Sequence, residues 1–181
     1  HEWLHNWYYG VLGTNESLYG WMDEGFTTYA EDRVTAFLEN TPGFIYDGTY
    51  KGYVSLAKSG KEEPLSTHAD HFNLNSAYGA AVYSKGGVFM EQLGYIVGAP
   101  VRDRILLEYY RQWRFKHPNA NDFIRIAEKV SDMKLDWYKE YWVNSTKTID
   151  YSIDSLWEEA GKTKVRISRV GLMPMPLDLQ L

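Results

Sequence analysis

The sequence predicts a mainly α-helical fold that ends in a short β-hairpin. Apolar residues recur at helical spacing along most of the chain, and segments rich in Gly and Pro divide it into helices of ordinary length. Near the C-terminus the apolar residues alternate with polar ones, which is the period of a strand. With 181 residues, of which 44% are hydrophobic, the chain can bury a core of its own.

The first predicted helix covers residues 1–12. Its apolar and histidine positions share one face, and these are His1, Leu4, His5, Tyr8 and Leu12. A loop follows, marked by Gly13, Asn15 and Gly20.

The second predicted helix covers residues 21–39, and the turn-forming residues 40–43 end it. Its expected buried side consists of Phe26, Ala30, Val34, Phe37 and Leu38.

The middle of the chain begins with an irregular stretch, residues 44–75. Within it we expect a short helix near residues 50–58 and a polar loop at residues 61–64. A long helix over residues 76–97 then ends at Gly98-Ala99-Pro100.

Three further helices are expected before the tail. The first covers residues 101–115. The second begins at a cap formed by Asn121 or Asp122 and runs to about residue 131, and the third covers residues 135–143. His117-Pro118-Asn119 separates the first two.

The tail reads as strand, turn and strand. Val165 and Ile167 alternate with charged and polar neighbours, and residues 171–176 contain the turn signals. The second strand is predicted from Leu177, Leu179 and Leu181.

Composition excludes several classes of function. A formal net charge of −5 and the lack of a basic stripe argue against a nucleic-acid partner. The chain has no cysteine, so disulfides and thiolate metal sites are ruled out. It also has no apolar run long enough to predict a membrane span.

The first five residues, His1-Glu2-Trp3-Leu4-His5, form an H-E-x-x-H motif. On a helix, residues four apart lie on one face, so His1 and His5 can share one metal ion with Glu2 beside them as general base. Eighteen residues separate His5 from Glu24, which supplies a third ligand. Three protein ligands with an open fourth position are typical of catalytic zinc. The sequence therefore predicts a hydrolytic zinc site.

Longer segments around these residues resemble the aminopeptidase N family of gluzincin zinc metallopeptidases. They are His5-Asn6-Trp7-Tyr8-Tyr9-Gly10, Gly20-Trp21-Met22-Asp23-Glu24-Gly25-Phe26, and Tyr83-Ser84-Lys85-Gly86-Gly87, which is similar to the Y-x-K-G segment of that family. The resemblance implies zinc held by His1, His5 and Glu24, Glu2 as general base, and Tyr83 as the donor that stabilises the oxyanion.

The resemblance also implies the domain organisation. Residues 1–160 would be the helical half of a thermolysin-like gluzincin catalytic domain, and residues 161–181 the beginning of a following β-domain. The family's G-x-M-E-N segment, which helps to hold the substrate amino group, and its sheet are expected upstream in a larger enzyme. Without that sheet, apolar helix faces would be exposed, so we expect the isolated chain to bind zinc weakly and to hydrolyse little.

Other residues are candidates for supporting roles. Glu31 lies seven residues after Glu24 on the same helical face, where it can accept a hydrogen bond from a zinc-bound histidine; the alternative is a solvated carboxylate. Tyr78 either lines the site or packs in the core. Asp23 stands where many family members have Asn, which leaves the ligand set intact. His68 and His71 suggest a second metal only weakly, because no third ligand is near in sequence.

A zinc aminopeptidase that acts on peptide substrates is the leading functional hypothesis. An endopeptidase or an epoxide hydrolase would use the same zinc site. An inactive peptide-binding fragment is the non-enzymatic alternative.

Overall fold

The computed structural model describes residues 1–180 and divides the chain into two compact units, one of residues 1–146 and one that begins at Lys147. The first unit is helical and the second contains an antiparallel strand pair, so the predicted fold class is confirmed. Leu181 lies outside the described residues. No helix within residues 1–180 combines the length and the apolar character that crossing a membrane requires.

The α-helices of the first unit follow the order of the chain. They are α1 (Glu16–Gly20), α2 (Phe26–Glu39), α3 (Asp47–Lys58), α4 (Asn75–Gly79), α5 (Gly86–Val97), α6 (Ala99–Trp113), α7 (Ala120–Ser131) and α8 (Asp136–Val143). The polar loop at residues 61–64 and the breaks at residues 40–43 and 117–119 are non-helical, as predicted.

Two π-helical turns interrupt the helical runs that carry the motifs. The first π-turn (Trp21–Gly25) joins α1 to α2, and the second π-turn (Ala80–Lys85) joins α4 to α5. The helices predicted over residues 21–39 and 76–97 therefore exist, but their regular hydrogen bonding is broken where the motif residues lie. Short π-helical segments are often found at functional sites.

The predicted helix over residues 1–12 is wrong. Only Leu4–Asn6 forms a 3₁₀ turn, and the chain reverses at Tyr9, whose φ is +85°. Trp, Tyr, Asn and Gly are poor helix formers, and a single turn is costly to nucleate. The segment is instead fixed by pairing with a distant loop: Phe115 donates to the carbonyl of Val11, and Gly13 donates to the carbonyl of Lys116.

The predicted buried face of the second helix is correct only at its start. Phe26 is buried, whereas Val34, Phe37 and Leu38 are exposed in α2, and Ala30 is half-buried. The helical periodicity is real, but no element of the first unit covers the second half of this face.

The predicted cap of α7 is two or three residues too late. Asn119, rather than Asn121 or Asp122, is the N-cap, and its side chain accepts hydrogen bonds from the backbone of both residues. The Asp122 side chain accepts from the backbone of Asn119 in return, which completes a capping box.

The hairpin of the second unit agrees with the prediction in one strand: Val165 and Ile167 lie in a strand, but its partner precedes that strand in the chain instead of following it. Strand β1 (Tyr151–Glu159) pairs with β2 (Lys162–Arg169), and residues 177–180 form no strand. A bulge between Ile153 and Ser155 interrupts the alternation of side chains along β1. The strand therefore lacks the regular two-residue pattern by which strands are predicted from sequence. The assignment of this part to a following β-domain stays a prediction.

Aromatic side chains fill the core of the first unit. Trp21 and Phe89 are fully buried with ring centroids 4.9 Å apart, and Phe26 lies 4.9 Å from Phe123. Trp21 belongs to the first π-turn and Phe26 follows it directly. The packing of Trp21 and Phe26 in the core therefore also fixes the segment between these two residues, which includes Asp23 and Glu24.

Candidate zinc site

The three predicted ligands lie together. Glu24 Oε2 is 3.0 Å from His1 Nε2 and 3.3 Å from His5 Nε2. One ligand atom from each residue falls within 4.8 Å of the others, and all three side chains are half-buried. The 3₁₀ turn brings the two imidazoles together with ring centroids 4.9 Å apart, even though the predicted helix is absent.

The outer ring nitrogen of His1, which is Nδ1 and points away from Glu24, is held by Glu31. His1 Nδ1 lies 2.7 Å from Glu31 Oε2. In this contact the carboxylate accepts a hydrogen bond from Nδ1–H, so the other ring nitrogen, Nε2, is the one that faces Glu24 and can bind a metal ion. The structure thus brings Glu31 to the position that its spacing from Glu24 predicts.

The outer nitrogen of His5 faces oxygen atoms as well. His5 Nδ1 lies 2.7 Å from Asp23 Oδ1, and 3.3 Å from both the carbonyl of Tyr8 and the hydroxyl of Thr27. A carbonyl only accepts, so this nitrogen also carries the proton. Burial raises the pKa of Asp23 to about 7 despite the opposing effect of His5, with Glu24 adding to the rise.

This donor set fits a zinc ion. Two imidazole nitrogens and one carboxylate oxygen converge, and each is an atom that can donate a lone pair to a metal ion. Ligands 2.0–2.1 Å from a tetrahedral zinc lie about 3.4 Å apart. The separations of 3.0 and 3.3 Å are close to that value.

Tyr83 reaches the same place from the second π-turn. Its ring stacks on His1 with centroids 5.5 Å apart and planes inclined by 23°. Partial burial raises the pKa of Tyr83, and a hydrogen bond to Glu24 and the charge of that carboxylate raise it further. The hydroxyl therefore stays protonated at neutral pH and can donate a hydrogen bond.

Two further predicted residues, Glu2 and Tyr78, differ in their surroundings. Glu2 is exposed and makes no hydrogen bond or ion pair with any residue in 1–180, so its carboxylate is free to meet a substrate or water. Partial burial and then the charge of Glu24 raise the pKa of Tyr78. The Tyr78 hydroxyl also packs against Gly20, where an added Cβ would lie 3.2 Å away, so Tyr78 both packs and borders the site.

His68 and His71 lie side by side elsewhere, with ring centroids 4.9 Å apart. Among residues 1–180, the group of three or more possible metal ligands consists of His1, His5 and Glu24. Neither His68 nor His71 belongs to this group.

The contacts of Asp23 and Thr27 with His5 do not follow from the sequence pattern. On a regular α-helix neighbouring residues point about 100° apart, so Asp23 would not be expected to face the same histidine as Glu24. The first π-turn alters that geometry, and no sequence signal marks a π-turn. A second carboxylate directly before a ligand is the one hint that the sequence offers.

Comparisons with known proteins agree with this geometry. The model of the peptidase family M1 domain matches residues 1–142. Leucine aminopeptidase 2 of Chaetomium globosum is 25% identical over 76% of this chain and 25% of its own length. Human aminopeptidase B is 29% identical over 78% of this chain and 21% of its own length. The chain thus spans about a quarter of these curated relatives.

The fold is similar to a solved M1 zinc metallopeptidase mutant of Deinococcus radiodurans, bound to a Tyr-Ser-Ala substrate. The TM-score is 0.63 at 19% identity, over 77% of this chain and 30% of the other. The likeness at this identity is one of fold. With the family model covering most of the chain, the predicted resemblance is confirmed, and the chain belongs to peptidase family M1.

Proposed function

We propose that this chain carries the zinc site of an aminopeptidase that removes N-terminal residues from peptides. The observation that carries the proposal is the convergence of His1 Nε2 and His5 Nε2, from the N-terminal segment, with Glu24 Oε2 of the first π-turn. The names of the M1 relatives, two of which are aminopeptidases, favour removal of terminal residues over internal cleavage.

Zinc bound by these three residues would polarise the peptide carbonyl and lower the pKa of a water molecule. Glu2 then accepts the proton of the attacking water and passes it to the leaving amine. Its exposure and its freedom from ion pairs suit a group that must exchange a proton with substrate.

Tyr83 donates a hydrogen bond to the oxyanion that forms on the former carbonyl oxygen. Its raised pKa keeps the proton in place, and its ring stacks on His1 beside the ligand cluster. Glu31 and Asp23 contact the outer nitrogens of the two imidazoles and so orient the inner nitrogens toward the proposed metal position.

The site continues into an apolar surface, which supports the presence of a further part of the enzyme. A groove of about 710 Å³ beside His1 is lined by Trp3, Val34 and Leu38, all of which are exposed. We propose that the upstream sheet of the catalytic domain covers this groove in the full-length protein. Large exposed apolar patches are uncommon on free protein surfaces.

Peptide hydrolysis by the full-length protein tests the proposal. The wild type should release the first residue of a peptide with a free amino terminus, lose this activity with a chelator, and regain it with zinc. Glu2→Gln should abolish turnover while zinc remains bound, and Glu39→Gln, which removes an exposed carboxylate from α2, should change neither.

An N-terminally acetylated peptide is the discriminating substrate. Internal cleavage of that peptide would indicate an endopeptidase instead of an aminopeptidase. Absence of any zinc-dependent hydrolysis of either peptide would contradict the proposal.

A further inference from the structure

Gly25 and Gly86 touch through their backbones at the point where the two π-turns meet. A Cβ on Gly25 would lie 2.6 Å from Gly86 Cα, and a Cβ on Gly86 would lie 2.8 Å from Gly25 Cα. Real Cβ atoms essentially never approach other atoms so closely. We call this contact the glycine joint. The backbone atoms on either side cannot rotate away as a long side chain would.

The glycine joint connects two parts of the site. Gly25 directly follows Glu24 in the first π-turn, and Gly86 begins α5 three residues after Tyr83. The separation of the two backbones at the joint therefore fixes how far Tyr83 lies from Glu24 and His1. A methyl group at either glycine would force the two helical runs apart.

An ion pair holds the second π-turn at its last residue. Lys85 is fully buried, and its Nζ lies 2.7 Å from Glu62 Oε1 and 2.9 Å from the carbonyl of Ser145. Both partners belong to segments outside the two runs that cross at the joint. A buried lysine needs such partners, and they restrain the backbone immediately after Tyr83.

From these contacts we infer that Gly25 and Gly86 are positioning residues for Tyr83, and that the Lys85–Glu62 pair anchors the same turn. This inference rests on the proposed function, because it assigns the joint to the oxyanion donor of that reaction. Displacing a catalytic group by about 1 Å can cost on the order of 100-fold in rate. The glycines thus act on catalysis without touching substrate.

The test is a double-mutant cycle in the full-length protein with Gly86→Ala, Tyr83→Phe and their combination. We expect Gly86→Ala to lower kcat by about 10- to 100-fold with KM nearly unchanged and zinc content retained. On the Tyr83→Phe background the same substitution should have almost no further effect, because the donor that it displaces is already gone.

Gly79→Ala is the matched control. Gly79 ends α4 in the same helical run, and an added Cβ there would meet nothing within 4 Å. This variant should keep wild-type kcat. If Gly86→Ala does not fold, Glu62→Gln replaces it in the cycle, since it weakens the anchor while preserving the shape of the side chain.

The outcomes separate this inference from the proposed function. Three results would overturn the inference and leave the proposed function intact. They are rate losses that multiply in the double mutant, loss of zinc in Gly86→Ala, and a wild-type kcat for the folded variant that is used in the cycle. A wild-type protein without zinc-dependent hydrolysis would overturn the proposed function and the inference together.

Discussion

Glu31 Oε2 lies 2.7 Å from His1 Nδ1 and joins the middle of α2 to the first residue of the H-E-x-x-H motif. The contact holds the ring of His1 so that its inner nitrogen, Nε2, faces Glu24. Removing the oxygen atoms that hold a metal-binding histidine typically weakens metal affinity by 10- to 100-fold.

We therefore expect Glu31→Ala to raise the dissociation constant for zinc by about 10- to 100-fold. Chelator competition on the full-length protein measures it. Glu39→Ala removes an exposed carboxylate from the end of the same helix and should leave the constant unchanged. Equal affinities for the two variants would show that Glu31 does not support the site.

Tyr83→Phe should lower kcat by about 10²- to 10³-fold, because a phenyl ring keeps the stacking on His1 but cannot donate to an oxyanion. Steady-state hydrolysis of a short peptide separates kcat from KM. Tyr19→Phe, at a half-buried tyrosine of α1, should be nearly silent. A loss confined to KM would assign Tyr83 to substrate binding instead.

Asp103 should make stability depend on pH. Burial alone would raise its pKa, but the hydrogen bonds and charge of Arg33, with the charge of Arg102, outweigh burial and lower it. The two atom pairs joining Asp103 to Arg33 are 2.6 and 3.1 Å long. A depressed pKa contributes stability above the unfolded value of about 3.9, and that contribution is lost as pH falls through the folded value.

Accordingly, Asp103→Asn should lower the free energy of unfolding by about 1 kcal/mol at neutral pH, a modest loss because both side chains are partly exposed. Urea unfolding at a series of pH values should show the difference fading below about pH 4. Asp47→Asn, which breaks the highly exposed pair with Lys51, should have little effect at any pH. A loss that persists at low pH would exclude the ion pair as its cause.

The capping box of α7 gives a second prediction on stability. Asn119→Ala should lower the free energy of unfolding by about 1 kcal/mol, since it removes the acceptor for two backbone amides. Asn121→Ala, which loses a surface hydrogen bond with Lys139, should cost much less. Thermal unfolding compares the two, and a larger effect at Asn121 would support the cap first predicted from sequence.

Helical periodicity and breakers predicted most of the fold, because the long helices have apolar stripes and several of them end at Gly or Asn, as at Asn40, Gly98 and Asn144. The failures occurred where local preference is overruled. Residues 1–12 contain a helical pattern, but their backbone is shaped by pairing with residues 115–117. Strand β1 was missed because a bulge breaks its alternation and most of its side chains are polar or charged.

The proposed zinc ligands could be predicted from sequence because residues that share one metal ion must follow a restricted spacing. What the sequence did not reveal is how they are supported. The contact of Asp23 with His5 depends on the first π-turn, and the approach of Tyr83 to Glu24 depends on a contact between two distant glycines. Both are properties of how two helical runs pack, and neither has a local signal.

Zinc content tests the central claim most directly. Elemental analysis of the full-length protein, purified with zinc present, should find one zinc per chain in the wild type. Glu24→Gln should contain little or none, because an amide oxygen replaces the charged ligand that both imidazoles face. A wild type without zinc, or a Glu24→Gln variant that keeps it in full, would contradict the three-ligand site.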